Sequence, residues 1–192
     1  VKYMTAKEED ILTSTNLIEQ GLVITRLLES VIADPKVKLN DMLIGDKNAL
    51  MVGTRVLGYG KDYEIMLTDP DTQERVEYSV DLTELKHRKI DKSLHQNGNN
   101  FEFELPNSKV VVGFKLMTEK DEVELTKINE SFEKVEKLTG ISYALTNRLK
   151  HQVVSIDGNT DQKEIDNFVD NKFLALDTRA YRKNLDKITP DI

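Results

Sequence analysis

Three oxygen-bearing side chains, Asp157, Asn159 and Asp161, have the spacing of the first three ligands of a calcium-binding loop. Such a loop also needs Gly at its sixth position and a bidentate Glu at its twelfth. Those two positions hold Gln162 and Phe168 in this chain. A turn followed by a helix N-cap therefore explains the three residues better, and no metal site is predicted.

The other residue types that could do chemistry also lack the required patterns. His87, His95 and His151 have spacings that suit no zinc motif on one helix face, although partners distant in sequence stay open. The chain has no cysteine, so disulfides, thiolate nucleophiles and Cys-based zinc sites are excluded. Gly-x-Ser-x-Gly and the phosphate-binding Gly-x-x-x-x-Gly-Lys-Ser/Thr do not occur. The sequence predicts a protein that is not an enzyme and needs no cofactor.

The charge balance of the 192 residues limits the classes of molecule that the chain is expected to bind. The formal net charge is -7, whereas a nucleic-acid binder needs a basic face to displace counterions from phosphates. The same negative charge disfavours binding to anionic membranes. The longest apolar runs, such as residues 110–112, are far too short for a membrane span, and residues 1–4 show no hydrophobic signal region. Proteins are therefore the expected partners, without nucleic acid or membrane.

The first 60 residues have a helical pattern. Thr5 and Glu8 have the spacing of a capping box. Apolar residues over 17–32 recur at the helical period, with Gly21 expected to weaken or break the helix, and this stripe fits core packing better than a partner-binding face. Asp46 is predicted to cap a second apolar helix. The segment 58–60 is predicted to end that helix, with Gly58 able to take the left-handed C-cap conformation.

From residue 61 the apolar residues alternate, which predicts strands. One hairpin turns at residues 69–72, and a second hairpin, over 101–116, turns at 106–108. Residues 91–100 between them are predicted to be a polar loop. Together the hairpins are expected to form one small antiparallel sheet of about four strands.

The pattern returns to helices after Thr118, which is predicted to cap a long helix. The positions of that helix expected to face inward are Val123, Leu125, Ile128, Phe132, Val135 and Leu138. A helix over 142–150, a strand over 152–156, a turn and a final helical region interrupted near Lys172 follow. The predicted class is α+β, with regions 1–60, 61–117 and 118–192 forming one compact domain or two closely joined ones.

Several segments, in this order, resemble the baseplate hub proteins of T-even type contractile phages, the family of the product of gene twenty-six. They are MTAKEEDIL (4–12), LIGDKNAL (43–50), RVLGYG (55–60), FEFELP (101–106), FKLMT (114–118), DE (121–122), SIDG (155–158), DTRA (177–180) and PDI (190–192). The resemblance implies a structural component or assembly chaperone of the central hub, without catalytic residues. Many members continue past the Pro-Asp with a tail that carries paired cysteines. The sequence stops at Ile192, so either this member lacks the tail or the sequence omits it, and no zinc site is transferred to these residues.

The expected partners are other proteins of the tail and baseplate hub, with the tape measure protein as a further candidate. The expected location is the virion tail baseplate, the host cytoplasm during assembly, or both. Oligomeric state and retention in the finished particle stay open. The predicted contact residues are Asp46, Lys47, Tyr59, Phe168, Arg179 and Tyr181.

Each predicted contact has a structural alternative: Asp46 as a cap, Tyr59 and Phe168 as core, and Arg179 as a surface ion pair. The alternative functions are a hydrolase associated with the hub and a regulatory binding module outside virions.

Overall fold

A computed structural model gives the fold of residues 1–90, 92–95 and 97–192, without the side chains of Lys92 and Leu94. These residues form eight α-helices and two small antiparallel sheets, with helices towards both ends of the chain. The predicted α+β class is therefore confirmed. Within the described residues, no helix is long and apolar enough to cross a membrane.

Contacts divide the chain into two units. Unit 1 comprises Val1–Arg88 with Asp191–Ile192, and unit 2 comprises Lys89–Pro190. The three predicted regions follow changes in local pattern, and the middle one, 61–117, contributes one hairpin to each unit.

Unit 1 begins with four helices, α1 (Ala6–Leu12), α2 (Thr15–Glu19), α3 (Val23–Val31) and α4 (Ile44–Tyr59). The predicted capping box is present, since Glu8 Oε2 accepts hydrogen bonds from Thr5 N–H at 2.8 Å and from Thr5 Oγ1 at 2.6 Å. Gly21 has a φ of +68° and separates α2 from α3, so the predicted break is confirmed. The core of the unit contains Leu28 of α3 and Leu50 of α4.

The predicted N-cap of α4 needs correction, whereas its predicted end at residues 58–60 is confirmed, with Gly60 in place of Gly58 as the C-cap. The helix begins at Ile44, so Asp46 lies in its first turn and is not the cap. A negative charge in the first turn stabilises a helix through its dipole. At the other end the helix runs through Gly58 to Tyr59. Gly60 is the C-cap, with a φ of +84° that favours glycine.

The first hairpin consists of β1 (Asp62–Thr68) and β2 (Arg75–Asp81), which form a two-stranded sheet. Its turn is held by Asp69, whose Oδ1 accepts hydrogen bonds from the N–H of Asp71 at 2.8 Å and of Thr72 at 3.3 Å. Asp69 thus forms the turn, as its place beside Pro70 suggests.

Unit 2 is built on a separate antiparallel sheet in the order β3 (Phe101–Glu104), β4 (Val111–Phe114) and β5 (Val153–Ile156). The two predicted hairpins exist, but the expectation that they share one sheet is wrong. β5 pairs with the free edge of β4, so that edge is not available to the first hairpin.

Four helices complete unit 2: α5 (Glu119–Thr139), α6 (Ala144–Gln152), α7 (Gln162–Asn171) and α8 (Ala175–Ile188). The break between α7 and α8 confirms the predicted interruption near Lys172. The core contains a continuous series of ring contacts with centroids 5.1 to 5.8 Å apart, through Phe101, Phe114, Tyr181, Phe173 and Phe168.

Helix α5 is much more exposed than its pattern predicted. Of the six positions expected to face inward, only Leu125 is buried. Phe132 is half-buried against Tyr143, with ring centroids 5.5 Å apart, and Leu138 is 88% exposed. Apolar spacing indicates one face of a helix but not what covers that face. The inward assignment is therefore wrong for the four exposed positions, which are Val123, Ile128, Val135 and Leu138.

The predicted polar loop contains a 3-10 turn over Lys92–His95. Asn99 then anchors the chain to Leu116 through two hydrogen bonds, from Asn99 Nδ2 to Leu116 O at 2.8 Å and from Leu116 N to Asn99 Oδ1 at 2.7 Å. Positions 91 and 96 lie outside the described residues, so that part of the loop stays a prediction.

Candidate partner-binding groove

Unit 1 has an open apolar groove of about 420 Å³ on its surface, called here the unit 1 groove. Its lining comes from α1, α3, α4, β1 and the residues before α1, and includes Met4, Leu12, Ile24, Met51, Tyr59 and Tyr63. Ile24, Met51, Tyr59 and Tyr63 each expose between 40% and 49% of their surface. Clustered exposed apolar side chains mark surfaces that bind other molecules.

Gly58 allows one wall of the groove to form. A Cβ at this position would lie 2.6 Å from Met4 Sδ, so glycine lets the Met4 side chain approach the α4 backbone. The sequence pattern suggested Gly58 as the C-cap, but this residue lies inside α4 and Gly60 is the cap. The role of Gly58 depends on Met4, more than fifty residues earlier in the chain, and no local signal indicates that contact.

The rim of the groove is ordered by contacts among Tyr59, Arg55, Tyr63 and Glu9. Tyr59 Oη donates a hydrogen bond to Glu9 Oε1 at 2.7 Å, and this bond raises the pKa of the tyrosine hydroxyl. The Arg55 guanidinium lies 5.1 Å from the Tyr59 ring centroid and 5.5 Å from that of Tyr63. The two exposed rings therefore have defined positions, which lowers the entropy lost when they contact a partner.

Among the predicted contact residues, Tyr59 lies at the groove. Asp46 is exposed and Lys47 half-buried, both on α4, and Arg179 is exposed on α8 in unit 2. No sequence pattern selects Met4, Arg55 or Tyr63 as contact residues, since each lies in a pattern typical of an ordinary capped helix or strand.

Phe168 and Tyr181 have a different environment from the one predicted for contact residues. Both are buried in the core of unit 2, at 5% and 0% exposure, so their rings contact the chain's own residues. For Phe168 this was the alternative considered from the sequence. Arg179 lies beside a surface cleft with Arg182 and Lys183, where its charge is accessible.

A charged cluster in unit 2 was not anticipated from the sequence. Asp121 Oδ1 accepts hydrogen bonds from Lys115 Nζ at 2.5 Å and lies 3.1 Å from His151 Nε2, which is 3.6 Å from Glu124 Oε2. Burial would raise the pKa of Asp121, but the hydrogen bonds from Lys115 and Thr118 outweigh it and hold the pKa at about 2.

The ligand atoms of Asp121, Glu124 and His151 lie within 4.8 Å of one another, a spacing that a metal ion could use. The Lys115 ammonium already neutralises Asp121, however, and Thr118 donates two more hydrogen bonds to Oδ2 of the same carboxylate. The cluster is therefore explained as the cap of α5, whose Asp121 also contacts His151 of α6.

The predicted turn at residues 157–159 is confirmed. Asp157 Oδ1 accepts a hydrogen bond from Val111 N–H at 2.8 Å, and Asn159 Oδ1 accepts one from Asp161 N–H at 2.9 Å. Asp157 and Gly158 have positive φ values of +49° and +81°. Both side chains therefore hold backbone N–H groups: Asn159 that of a residue two positions later, and Asp157 that of a residue on β4.

A groove with exposed, ordered apolar side chains is typical of proteins that bind other proteins. The chain belongs to a family of known phage proteins, because the family model described as T4 bacteriophage base plate protein matches residues 1–180. Comparisons with curated proteins and with solved structures give no match. Membership indicates a structural or assembly role in the phage baseplate, at the virion tail and in contact with other tail proteins. The resemblance seen in the sequence is confirmed at this level.

Proposed function

We propose that this protein is a structural component or assembly chaperone of the central hub of the baseplate, and that it acts by binding other tail proteins. The observation that carries the proposal is the unit 1 groove, where apolar side chains stay exposed beside the ordered rings of Tyr59 and Tyr63. Such a centre, with charged residues around it, is the usual arrangement of a protein interface.

The proposed partners are other hub proteins, with the tape measure protein as a further candidate. The proposed location is the tail baseplate, the host cytoplasm during assembly, or both. Among the surface residues, we propose Tyr59 as a contact at the groove and Asp46, Lys47 and Arg179 as contacts elsewhere.

The proposed mechanism includes no catalysis by this chain. Family membership supports a structural role. Incubation of the purified protein with peptidoglycan should release no soluble fragments above the level given by a heat-denatured sample. Release of fragments would contradict this part of the proposal and favour a hydrolase associated with the hub.

Two residues of α4 allow a matched test of the groove. Met51 and Leu57 are 40% and 39% exposed, but only Met51 is among the lining residues of the groove. A charge at Met51 would have to lose its hydration when a partner covers the groove, which costs several kcal/mol. The variant Met51→Lys should therefore reduce partner binding, while Leu57→Lys, with the same chemical change on the same helix, should not.

The assay is complementation of a phage that lacks this gene by variants expressed from a plasmid. Met51→Lys should lower the yield of infectious particles at least about ten-fold, as expected for a loss of more than 1.4 kcal/mol in binding. Leu57→Lys should stay near wild type, and both variants should match it in circular dichroism. Equal yields from the two variants would remove the groove from the proposal. Absence of the protein from both particles and tail intermediates would contradict the proposed function itself.

A further inference from the structure

The hairpin of β1 and β2 has one apolar face and one polar face. Antiparallel pairing aligns Tyr63 with Val80, Ile65 with Tyr78 and Leu67 with Val76. Because side chains alternate along a strand, all six of these apolar residues lie on one face of the hairpin. The distal part of this face is open, with Leu67 48% and Tyr78 51% exposed.

A two-stranded hairpin alone is marginally stable in water and normally needs a covered apolar face. Here the sheet has two strands, and most residues of both strands are exposed. The face therefore exposes several large apolar side chains in a contiguous ladder. Contiguous exposed apolar surface of this kind is typical of a site that another protein covers.

The charge of residues 61–84 indicates what kind of protein covers the apolar face of the hairpin. Residues 61–84 contain eight carboxylates and two cations, a formal net charge of -6. Four of these carboxylates alternate with the apolar residues and belong to the opposite face, whereas three lie at the tip, on Asp69, Asp71 and Glu74. At the hairpin tip, Asp71 and Glu74 are exposed beside the apolar face. An apolar strip bordered by carboxylates is complementary to an apolar surface bordered by Lys and Arg.

We propose that the apolar face of the β1–β2 hairpin binds another tail protein through a surface with an apolar centre and a basic rim. This inference rests on the proposed function and adds the chemistry of one partner. The concentration of negative charge disfavours pairing of two hairpins from two copies of the chain, because like charges would meet. It disfavours nucleic acid and anionic lipid for the same reason.

The partner can be identified by site-specific photo-crosslinking in cells that assemble the phage. The photoreactive amino acid p-benzoylphenylalanine replaces Tyr78 on the apolar face. In the control it replaces Met66, which is 63% exposed and belongs to the opposite face, since it pairs with Glu77. Tail intermediates are then purified, and the crosslinked peptides are identified by mass spectrometry.

Crosslinks from position 78 should join a segment of one other tail protein that contains apolar residues and an excess of Lys and Arg, at several times the yield from position 66. The partner found in this way is then purified, and its binding to the full chain is measured. Tyr78→Ser should weaken the affinity about ten-fold or more, whereas Met66→Ser should leave it unchanged.

The charge of the rim is tested on the same pair of proteins. Asp71→Lys with Glu74→Lys, at the tip, should reduce the association rate about ten-fold at 0.05 M NaCl and have much less effect at 0.5 M. Glu77→Lys, on the polar face, should have a smaller effect. Circular dichroism and thermal unfolding of each variant must match those of wild type, which shows that a loss of binding is not caused by unfolding.

The inference is wrong if position 78 gives no more crosslinks than position 66, if it crosslinks to a second copy of this chain, or if the partner surface is acidic. An association rate that changes neither with the salt concentration nor with the two tip substitutions would also overturn the inference. Each of these outcomes leaves the proposed function intact as long as the chain is found in tail intermediates. A chain absent from those intermediates would overturn both.

Discussion

Tyr181 gives the sharpest test of how the core of unit 2 is built. Its ring is fully buried between Phe114 and Phe173, with centroid distances of 5.1 and 5.8 Å. Among the described residues, its hydroxyl has no hydrogen-bond partner. Burial raises the pKa of this hydroxyl, so it stays neutral. The substitution Tyr181→Phe removes only the oxygen and keeps the packed ring.

The expected effect follows from the cost of an unsatisfied polar group. A buried hydroxyl without a partner costs about 1–3 kcal/mol relative to its hydrated state in the unfolded chain. Removing it from Tyr181 leaves a space of one oxygen atom, which offsets part of that gain. We therefore expect the free energy of unfolding to rise by about 1 kcal/mol, a gain of about 4 °C in Tm for a unit of this size.

The assay is urea unfolding of the full chain, followed by far-ultraviolet circular dichroism. Tyr59→Phe is the matched control, because it makes the same chemical change at an exposed ring whose hydroxyl donates to Glu9. The control should leave the free energy of unfolding close to that of wild type, because the Tyr59 hydroxyl is exposed. A loss of 1 kcal/mol or more from Tyr181→Phe would show that the hydroxyl has a partner and would refute this account of the core.

The same variant also decides between two roles for Tyr181, which the sequence selected as a contact residue. A buried ring that supports the fold predicts that Tyr181→Phe assembles phage as well as wild type does. A hydroxyl that binds a partner predicts a reduced yield in the complementation assay.

Three further predictions concern the described contacts of unit 2. Asp121→Asn should cost about 1–2 kcal/mol at pH 7, allowing for partial solvent screening, and the difference from wild type in urea unfolding should close between pH 4 and 2. The sign follows because the folded pKa of about 2 lies below the ordinary 3.8, so the carboxylate stabilises the fold above pH 4 and loses this effect on acidification. Gly113→Ala should destabilise by about 1–3 kcal/mol because the new Cβ meets Ser155 Oγ, and Ser155→Ala in the same chain should relieve much of the loss; no rescue would contradict this cause. Leu125→Ala should cost about 2–5 kcal/mol and Leu138→Ala less than about 0.5 kcal/mol, and similar losses in urea unfolding would mean that α5 is covered along its whole length.

Local signals in the sequence were sufficient for much of the secondary structure. The capping box at Thr5, the break at Gly21 and the turn at residues 157–159 all depend on groups a few residues apart, and each is present. Alternating apolar residues also predicted both hairpins. The α+β class follows from these elements, because helices precede and follow the strands.

Local sequence patterns could not predict contacts between segments that are distant in the chain. β5 is about forty residues from β4 in sequence, so nothing near either strand indicated that they pair. Asp177 is fully buried and accepts three hydrogen bonds from the turn after β3: from Asn107 N at 2.8 Å, Asn107 Nδ2 at 2.9 Å and Ser108 N at 3.0 Å. Before folding, Asp177 resembles any acidic residue in the first turn of a helix. The separation of the hairpins into two sheets depends on contacts of this kind.

The segments that resemble the baseplate family differ in what the fold alone can explain. In unit 2, Asp157 and Asp177 use their side-chain oxygens to hold neighbouring backbone, so folding accounts for them. In unit 1, segments 4–12 and 55–60 meet where Met4 lies against Gly58 and Glu9 binds Tyr59. Folding alone does not require the ordered but exposed ring of Tyr59, since burying it would stabilise the unit more. The part of the resemblance that stability does not explain therefore lies along the unit 1 groove, and that is where a role in binding other tail proteins is best sought.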